Sequence, residues 1–134
     1  MRFLDTNVLV YAACNQDLRK RDIALELIHH AICVNHDAVI SMQVVSEFTN
    51  VMVGRLNTPA EVMEEWYPYL NPLLAGEVTR EMLRNAIDIR KEYGLQYYDS
   101  VVIAAAEKFG CHEIITEDLN PGQLYRGMVA VNPF

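Results

Sequence analysis

Residues 99–118 read DSVVIAAAEKFGCHEIITED, and this stretch decides the class of fold. Val101–Ala106 is apolar around its whole circumference, which a helix tolerates only when it is buried on every side. Gly110 suits the end of that helix, because a residue without Cβ enters the left-handed region at little steric cost. The chain then passes into EIIT, Glu113–Thr116, a short β-rich run. A buried helix feeding a buried strand is the repeating unit of a parallel sheet covered by helices. Asp99 is expected to be the N-cap of this helix and to be partly buried with it, and a buried carboxylate requires a partner.

The pattern repeats on both sides of this segment. RFLDTNVLVYAA, Arg2–Ala13, reads as a buried strand over Arg2–Leu4 that turns into a helix at Asp5–Asn7, where short polar side chains can cap free backbone N–H groups. After the polar residues 15–22, an amphipathic helix is expected through Ile23, Leu27, Ile28, Ala31 and Ile32. AVIS, Ala38–Ser41, reads as a second strand, followed by a helix from Met42 to Arg55. Thr58-Pro59 opens a helix through Val62 and Trp66, with Pro at its first position, and Pro68 and Pro72 bound or kink it. EVT, Glu77–Thr79, is expected to be the third strand, and Met82, Ala86, Ile89 and Tyr93 mark a helix that ends at Gly94. MVAVN, Met128–Asn132, is the last strand. The fold class is therefore α/β: a three-layer α/β/α sandwich with a mainly parallel central sheet, in one domain spanning residues 1–134.

Composition narrows the function. Hydrophobic residues make up 51% and charged residues 22%, which leaves little room for disorder. No apolar run approaches the roughly 18 residues of a membrane helix, and the N-terminus does not read as a signal peptide. Cys14, Cys33 and Cys111 are odd in number without CxxC spacing, so they read as reduced thiols of a cytoplasmic protein. The net charge of −7 runs against metal-free nucleic-acid binding, which needs a basic surface.

Four acids nevertheless fall at one place. In a parallel α/β sheet the ligand crevice lies at the carboxyl ends of the strands. Asp5 follows the first strand and Asp118 follows EIIT, while Asp99 opens the helix leading into EIIT. Glu47 is six residues beyond Ser41, about 9 Å along its helix, and beside the apolar arc of Val44, Val45, Phe48, Val51 and Met52. Singly, each has a plain reading as a cap, turn or solvated residue. Together, such carboxylates repel unless a cation lies between them, and hard oxygen ligands suit Mg²⁺ or Mn²⁺. A carboxylate-held metal beside an open cleft is the chemistry of phosphodiester hydrolysis.

With these residues in place, the chain resembles the PIN-domain ribonucleases, specifically the VapC kind of toxin from toxin–antitoxin pairs. The likeness rests on FLDTNVLVYA at the start, VVSEFTNV in the middle, YYDSVVIAAA later, and IITEDLNPGQ and VNPF at the end. It implies Mg²⁺-dependent cleavage of RNA, with Mn²⁺ able to substitute, inhibition by a cognate antitoxin, and a homodimer. The family's acidic quartet falls on Asp5, Glu47, Asp99 and Asp118, with Asp5, Asp99 and Asp118 as metal ligands. Its supporting polar residues fall on Thr6, Asn7 and Thr116, and Glu117 is a reserve for Asp118. Arg19, Lys20, Arg21, Arg55, Arg80 and Arg84 are candidate RNA-backbone contacts, and Tyr97 and Tyr98 can stack on bases or pack in the core. Trp66, Tyr67, Tyr69 and Leu70 are a candidate dimer patch or simply the core face of their helix. The alternative is a PIN-like module that binds RNA or protein without cutting. A phosphatase or phospho-receiver is disfavoured, since Asp5-Thr6-Asn7 lacks the second Asp of a DxD motif. The adjacent His29 and His30 cannot both face one point.

Overall fold

β1 (Arg2–Leu4) runs down the middle of the sheet, with β2 (Ala38–Ser41) on one side and β4 (Glu113–Ile115) on the other, both parallel to it. The computed structural model describes all 134 residues. β3 (Leu74–Gly76) extends the sheet beyond β2, and β6 (Met128–Val131) extends it beyond β4, again in parallel. β5 (Leu124–Tyr125) pairs antiparallel with β6 and completes the order β3-β2-β1-β4-β6-β5. Phe3, Leu4, Ile40 and Ile114 have no exposed surface, as expected of strands covered on both faces. Burying a side chain of that size contributes roughly 2 kcal/mol.

Six helices cover the sheet: α1 (Thr6–Ala13), α2 (Leu18–His30), α3 (Met42–Gly54), α4 (Ala60–Leu70), α5 (Arg80–Tyr93) and α6 (Tyr97–Lys108). From β1 the chain steps outward to β2 and β3, then returns to lay β4 against the other side of β1. Right-handed crossovers then put α1–α4 on one face and α5 and α6 on the other. In keeping with this, α1 packs on α2 and α3, while α5 packs on α6. The two directions of travel diverge between β1 and β4, and the carboxyl ends of those strands frame a crevice. Helix α6 is the central packing element on its face: every residue from Ser100 to Ala106 is buried.

Several expected boundaries shift, each for a local reason. The third strand is Leu74–Gly76 rather than Glu77–Thr79. Thr79, whose β-branch suggested a strand, is instead the N-cap of α5 and accepts a hydrogen bond from the Met82 N–H at 3.3 Å. Helix α6 begins at Tyr97 with Gln96 as N-cap, so Asp99 sits in its first turn and does not cap it. Helix α2 starts at Leu18, inside the polar stretch, because Asp17 caps it through the Lys20 N–H at 3.0 Å. Pro59 is the N-cap of α4 rather than its first residue, and Pro68 lies within that helix. The β5–β6 hairpin was not expected. Its two-residue turn, Arg126-Gly127, has φ of 52° and 83°, as a tight hairpin requires. The Arg126 N–H donates to the Tyr93 hydroxyl at 2.7 Å, and Arg126 pairs with Glu92 at 2.7 Å, which hold the non-glycine residue in that conformation.

Candidate active site

The end of β1 and the end of β4 supply the floor of the crevice. The Asp5 N–H donates to the Ile115 carbonyl at 3.1 Å, and the Thr116 N–H donates to the Val131 carbonyl at 3.0 Å, so both residues extend the ladder one step past their strands. Asp5 is also the N-cap of α1, with Oδ1 accepting from the Thr6 N–H at 2.7 Å. Its Oδ2 accepts from the Thr116 hydroxyl at 2.7 Å. Thr116 Oγ1 in turn accepts from the Asp118 N–H and from Asn7 Nδ2, each at 3.1 Å. Asn7 Nδ2 reaches Asp118 Oδ2 at 3.1 Å and Asp5 Oδ2 at 3.4 Å. On the other flank the Thr6 hydroxyl donates to Glu47 Oε2 at 3.0 Å, and Gln43 Nε2 donates to Glu47 Oε1 at 2.6 Å. One hydrogen-bonded arc therefore runs Glu47–Thr6–Asp5–Thr116–Asn7–Asp118. Sequence reasoning missed Gln43, although it lies one helical turn before Glu47.

The Asp99 carboxylate makes no hydrogen bond, but it shares the electrostatics of the arc. Burial raises its pKa, and the negative charges of Asp118 and Glu47 raise it further. Asp5 is 6% exposed, and burial pushes its carboxyl up to about 6. Hydrogen bonds from Thr116 and Thr6 pull it down, and the charges of Asp118 and Glu47 push it up. Asp118 and Glu47 thus lie within electrostatic reach of both Asp5 and Asp99.

This donor set is carboxylate and hydroxyl oxygen, the chemistry of a hard divalent cation. Asn7 Oδ1 is a further oxygen beside the acids, buried and without a hydrogen-bond partner. The carboxylates do not form a closed cage: no three Asp, Glu, His or Cys side chains converge tightly enough to enclose an ion unaided. The set fits Mg²⁺, which keeps several of its waters and takes only one or two carboxylates directly.

Glu117 faces away from the arc. It accepts hydrogen bonds from the Tyr11 hydroxyl and from Lys20 Nζ, the latter at 2.7 Å, and Lys20 also donates to the Tyr11 hydroxyl at 3.0 Å. Lys20 Nζ lies 4.4 Å from the centroid of the Tyr11 ring, and Phe134 packs edge-on against that ring at 4.9 Å. Burial raises the Glu117 pKa, but the Lys20 and Tyr11 hydrogen bonds outweigh it and hold the carboxyl below its usual value. This cluster ties α1, α2 and the chain end to the loop that carries Asp118. Lys20→Met is expected to lower the melting temperature by a few degrees at pH 7 and hardly at all near pH 3. A depressed carboxylate pKa contributes stability above its unfolded value and loses it as the pH falls through the folded value. An equal loss at both pH values would assign the effect to packing of the Lys20 stem.

The remaining expectations are placed as follows. Lys20 has its charge compensated by Glu117, and Arg84 pairs with Asp88, whereas Arg19, Arg55 and Arg80 are exposed without an ion pair. Arg21 bonds to Asn15 at 2.8 Å. Leu70 is buried, Tyr67 bonds to Thr49 at 2.9 Å, and Trp66 packs edge-on against Phe48 at 5.5 Å, so of the candidate dimer patch only Tyr69 is exposed. The largest cavity, about 630 Å³ between α3 and the end of α4, is lined by Val45, Thr49, Val53, Tyr67 and Leu70 among others and touches none of the four acids.

The PIN domain model matches residues 2–126, and the chain belongs to the PIN-domain family. Solved structures share the fold at low sequence identity. A VapC20 toxin of Mycobacterium tuberculosis, described as cleaving the sarcin–ricin loop, is 15% identical, with a TM-score of 0.67 over 88% of this chain and 92% of its own. A toxin–antitoxin complex from Klebsiella pneumoniae gives 19% identity and a TM-score of 0.70 over 100% of this chain and 98% of its own. FitAB bound to a DNA fragment gives 20% and 0.71 over 99% and 95%. No curated protein matches the chain by sequence.

Proposed function

We propose that this chain is a Mg²⁺-dependent endoribonuclease and the toxin of a toxin–antitoxin pair. The observation that carries the reading is the arc itself: a buried Asp5 bonded to Thr116, beside Asp118 and Glu47, at the mouth of the sheet crevice. The VapC20 toxin and the Klebsiella complex, both of this fold, support the RNA substrate and the antitoxin partner.

Asp5, Asp99 and Asp118 would hold the cation, directly or through water. Bound there, Mg²⁺ supplies positive charge against the charge that develops on the phosphodiester and makes a water a better nucleophile. Thr116 and Asn7 fix the orientations of Asp5 and Asp118. Glu47, held by Thr6 and Gln43, would take a proton from the attacking water or complete the cation's shell. Labelled RNA is expected to be cut with Mg²⁺ or Mn²⁺ and to survive in EDTA; cleavage undiminished in EDTA would refute the mechanism. Co-expression with a small protein encoded upstream is expected to give a complex in which cleavage is inhibited.

A further inference from the structure

The acidic arc has a second compartment beside it. A cavity of about 410 Å³ is lined by Gln43, Ser46, Glu47, Asn50 and Tyr98. The first four residues follow i, i+3, i+4, i+7 spacing and so form one face of α3. Tyr98 comes from the first turn of α6, next to Asp99. The compartment is thus bounded by Glu47 of the arc and by the chain neighbour of Asp99.

Its side chains are uncommitted in a particular way. Tyr98 is 66% exposed, forms a T-shaped pair with Tyr97 with ring centroids 5.4 Å apart, and makes no hydrogen bond through its hydroxyl. Tyr97 is half-buried, so of the two tyrosines only Tyr98 presents a free ring. Gln43 is occupied by Glu47, whereas the Asn50 amide and Ser46 hydroxyl have no hydrogen-bond partner. A free aromatic face beside an unused amide is the equipment with which proteins hold unstacked bases of single-stranded RNA. Charge points the same way. In a chain of net charge −7, with Lys20 compensated by Glu117, phosphate contacts fall to a few exposed side chains such as Arg19, Arg55 and Arg80, and stacking adds affinity beyond them.

We propose that this compartment is a nucleobase subsite. The base flanking the scissile phosphate lies on the Tyr98 ring and turns its edge towards Asn50 and Ser46. The inference rests on the nuclease reading and deepens it: the substrate is single-stranded or looped RNA, because a base paired in a duplex cannot reach the ring.

The test is binding without cleavage. The protein carries Asp5→Asn, and the probe is a 12-nucleotide single-stranded RNA with one central 2-aminopurine, whose fluorescence is quenched by stacking. Quenching is expected with the single strand and not with its duplex. Adding Tyr98→Ala should remove the quench and weaken binding roughly tenfold or more, while Tyr98→Phe retains both. Asn50→Ala should leave stacking intact but reduce discrimination between adenine and uracil at that position. Tyr98 is exposed, so its removal should leave the melting temperature unchanged. A quench insensitive to Tyr98→Ala, or no binding of the single strand at all, overturns the subsite. A Tyr98→Ala effect on elution volume rather than on RNA makes Tyr98 a contact between protein copies and also overturns it. Wild-type protein that cuts RNA while the quench ignores Tyr98 leaves the nuclease standing without the subsite. RNA that is bound and quenched but never cut has the opposite meaning.

Discussion

Asp5→Asn is expected to reduce RNA cleavage by at least about a thousandfold while the protein remains folded. The amide keeps the size of the side chain and an oxygen for the Thr6 N–H, so the cap of α1 survives. What it removes is the buried negative charge at the floor of the arc, and with it the strongest attraction for a cation. Losing a single charge-stabilising group commonly costs a hundred- to a thousandfold, and loss of the metal with it costs more. The new NH₂ also meets Thr116 Oγ1, which already accepts from Asn7 and Asp118, so one donor is left without a partner at a cost of about 1 kcal/mol. Removing a buried carboxylate more than offsets that cost, so the variant should melt above wild type when no divalent cation is present. Cleavage of a labelled RNA, measured alongside a thermal melt, separates the two effects. Activity within tenfold of wild type would show that Asp5 takes no part in the chemistry.

How far the sequence leads is clear from individual residues. Val101–Ala106, apolar on every side, announced the buried helix, and the short β-rich runs located four of the six strands to within a residue, while the third was placed three residues too late and β5 was not expected. Asp5 could be placed because it directly follows β1, and Asp118 because it lies three residues past the end of β4; strand ends fix position more tightly than helix positions do. Asp99 was assigned the wrong local task, since a helix N-terminus and a site acid look alike in sequence. Its unbonded carboxylate and its place in the first turn emerge only when α6 is seen to begin at Tyr97. Glu117 and Asp118 were ambiguous because adjacent acids differ only in the direction each points. The direction is set by Lys20 and Tyr11, about a hundred residues away. The C-terminal Phe134 had no explanation until it was found packed on Tyr11.

Without a divalent cation, the protein should be more stable at pH 5.5 than at pH 7.5. The folded-state pKa of Asp5, about 6, lies above its ordinary 3.8. A raised carboxylate pKa means that between those values the folded state keeps a proton that the unfolded state has released, so stability falls as the pH rises through that window. A shift of about two units corresponds to roughly 3 kcal/mol of penalty, most of which is already present at pH 5.5, and the remainder, about 1 kcal/mol, accrues by pH 7.5. For a domain of this size that remainder is on the order of 3 °C in melting temperature. Asp99, raised by the same causes, adds to the effect with the same sign. Glu117 leaves this comparison unchanged, because its depressed pKa makes it stabilising above its ordinary 4.5, and its contribution is lost only at lower pH. A divalent cation relieves the same penalty from the other side. At a hundred times its dissociation constant, Mn²⁺ would contribute about 2.7 kcal/mol at pH 7.5 and much less at pH 5.5, where protons compete for the carboxylates. Because the chain is acidic, lowering the pH also relieves general repulsion, so the informative quantity is the difference between wild type and Asp5→Asn. That substitution should flatten most of the pH slope and abolish the Mn²⁺ shift. A melting temperature that is level from pH 5.5 to 7.5, or an Mn²⁺ shift that persists in Asp5→Asn, would mean that the buried carboxylate neither strains the fold nor binds the ion.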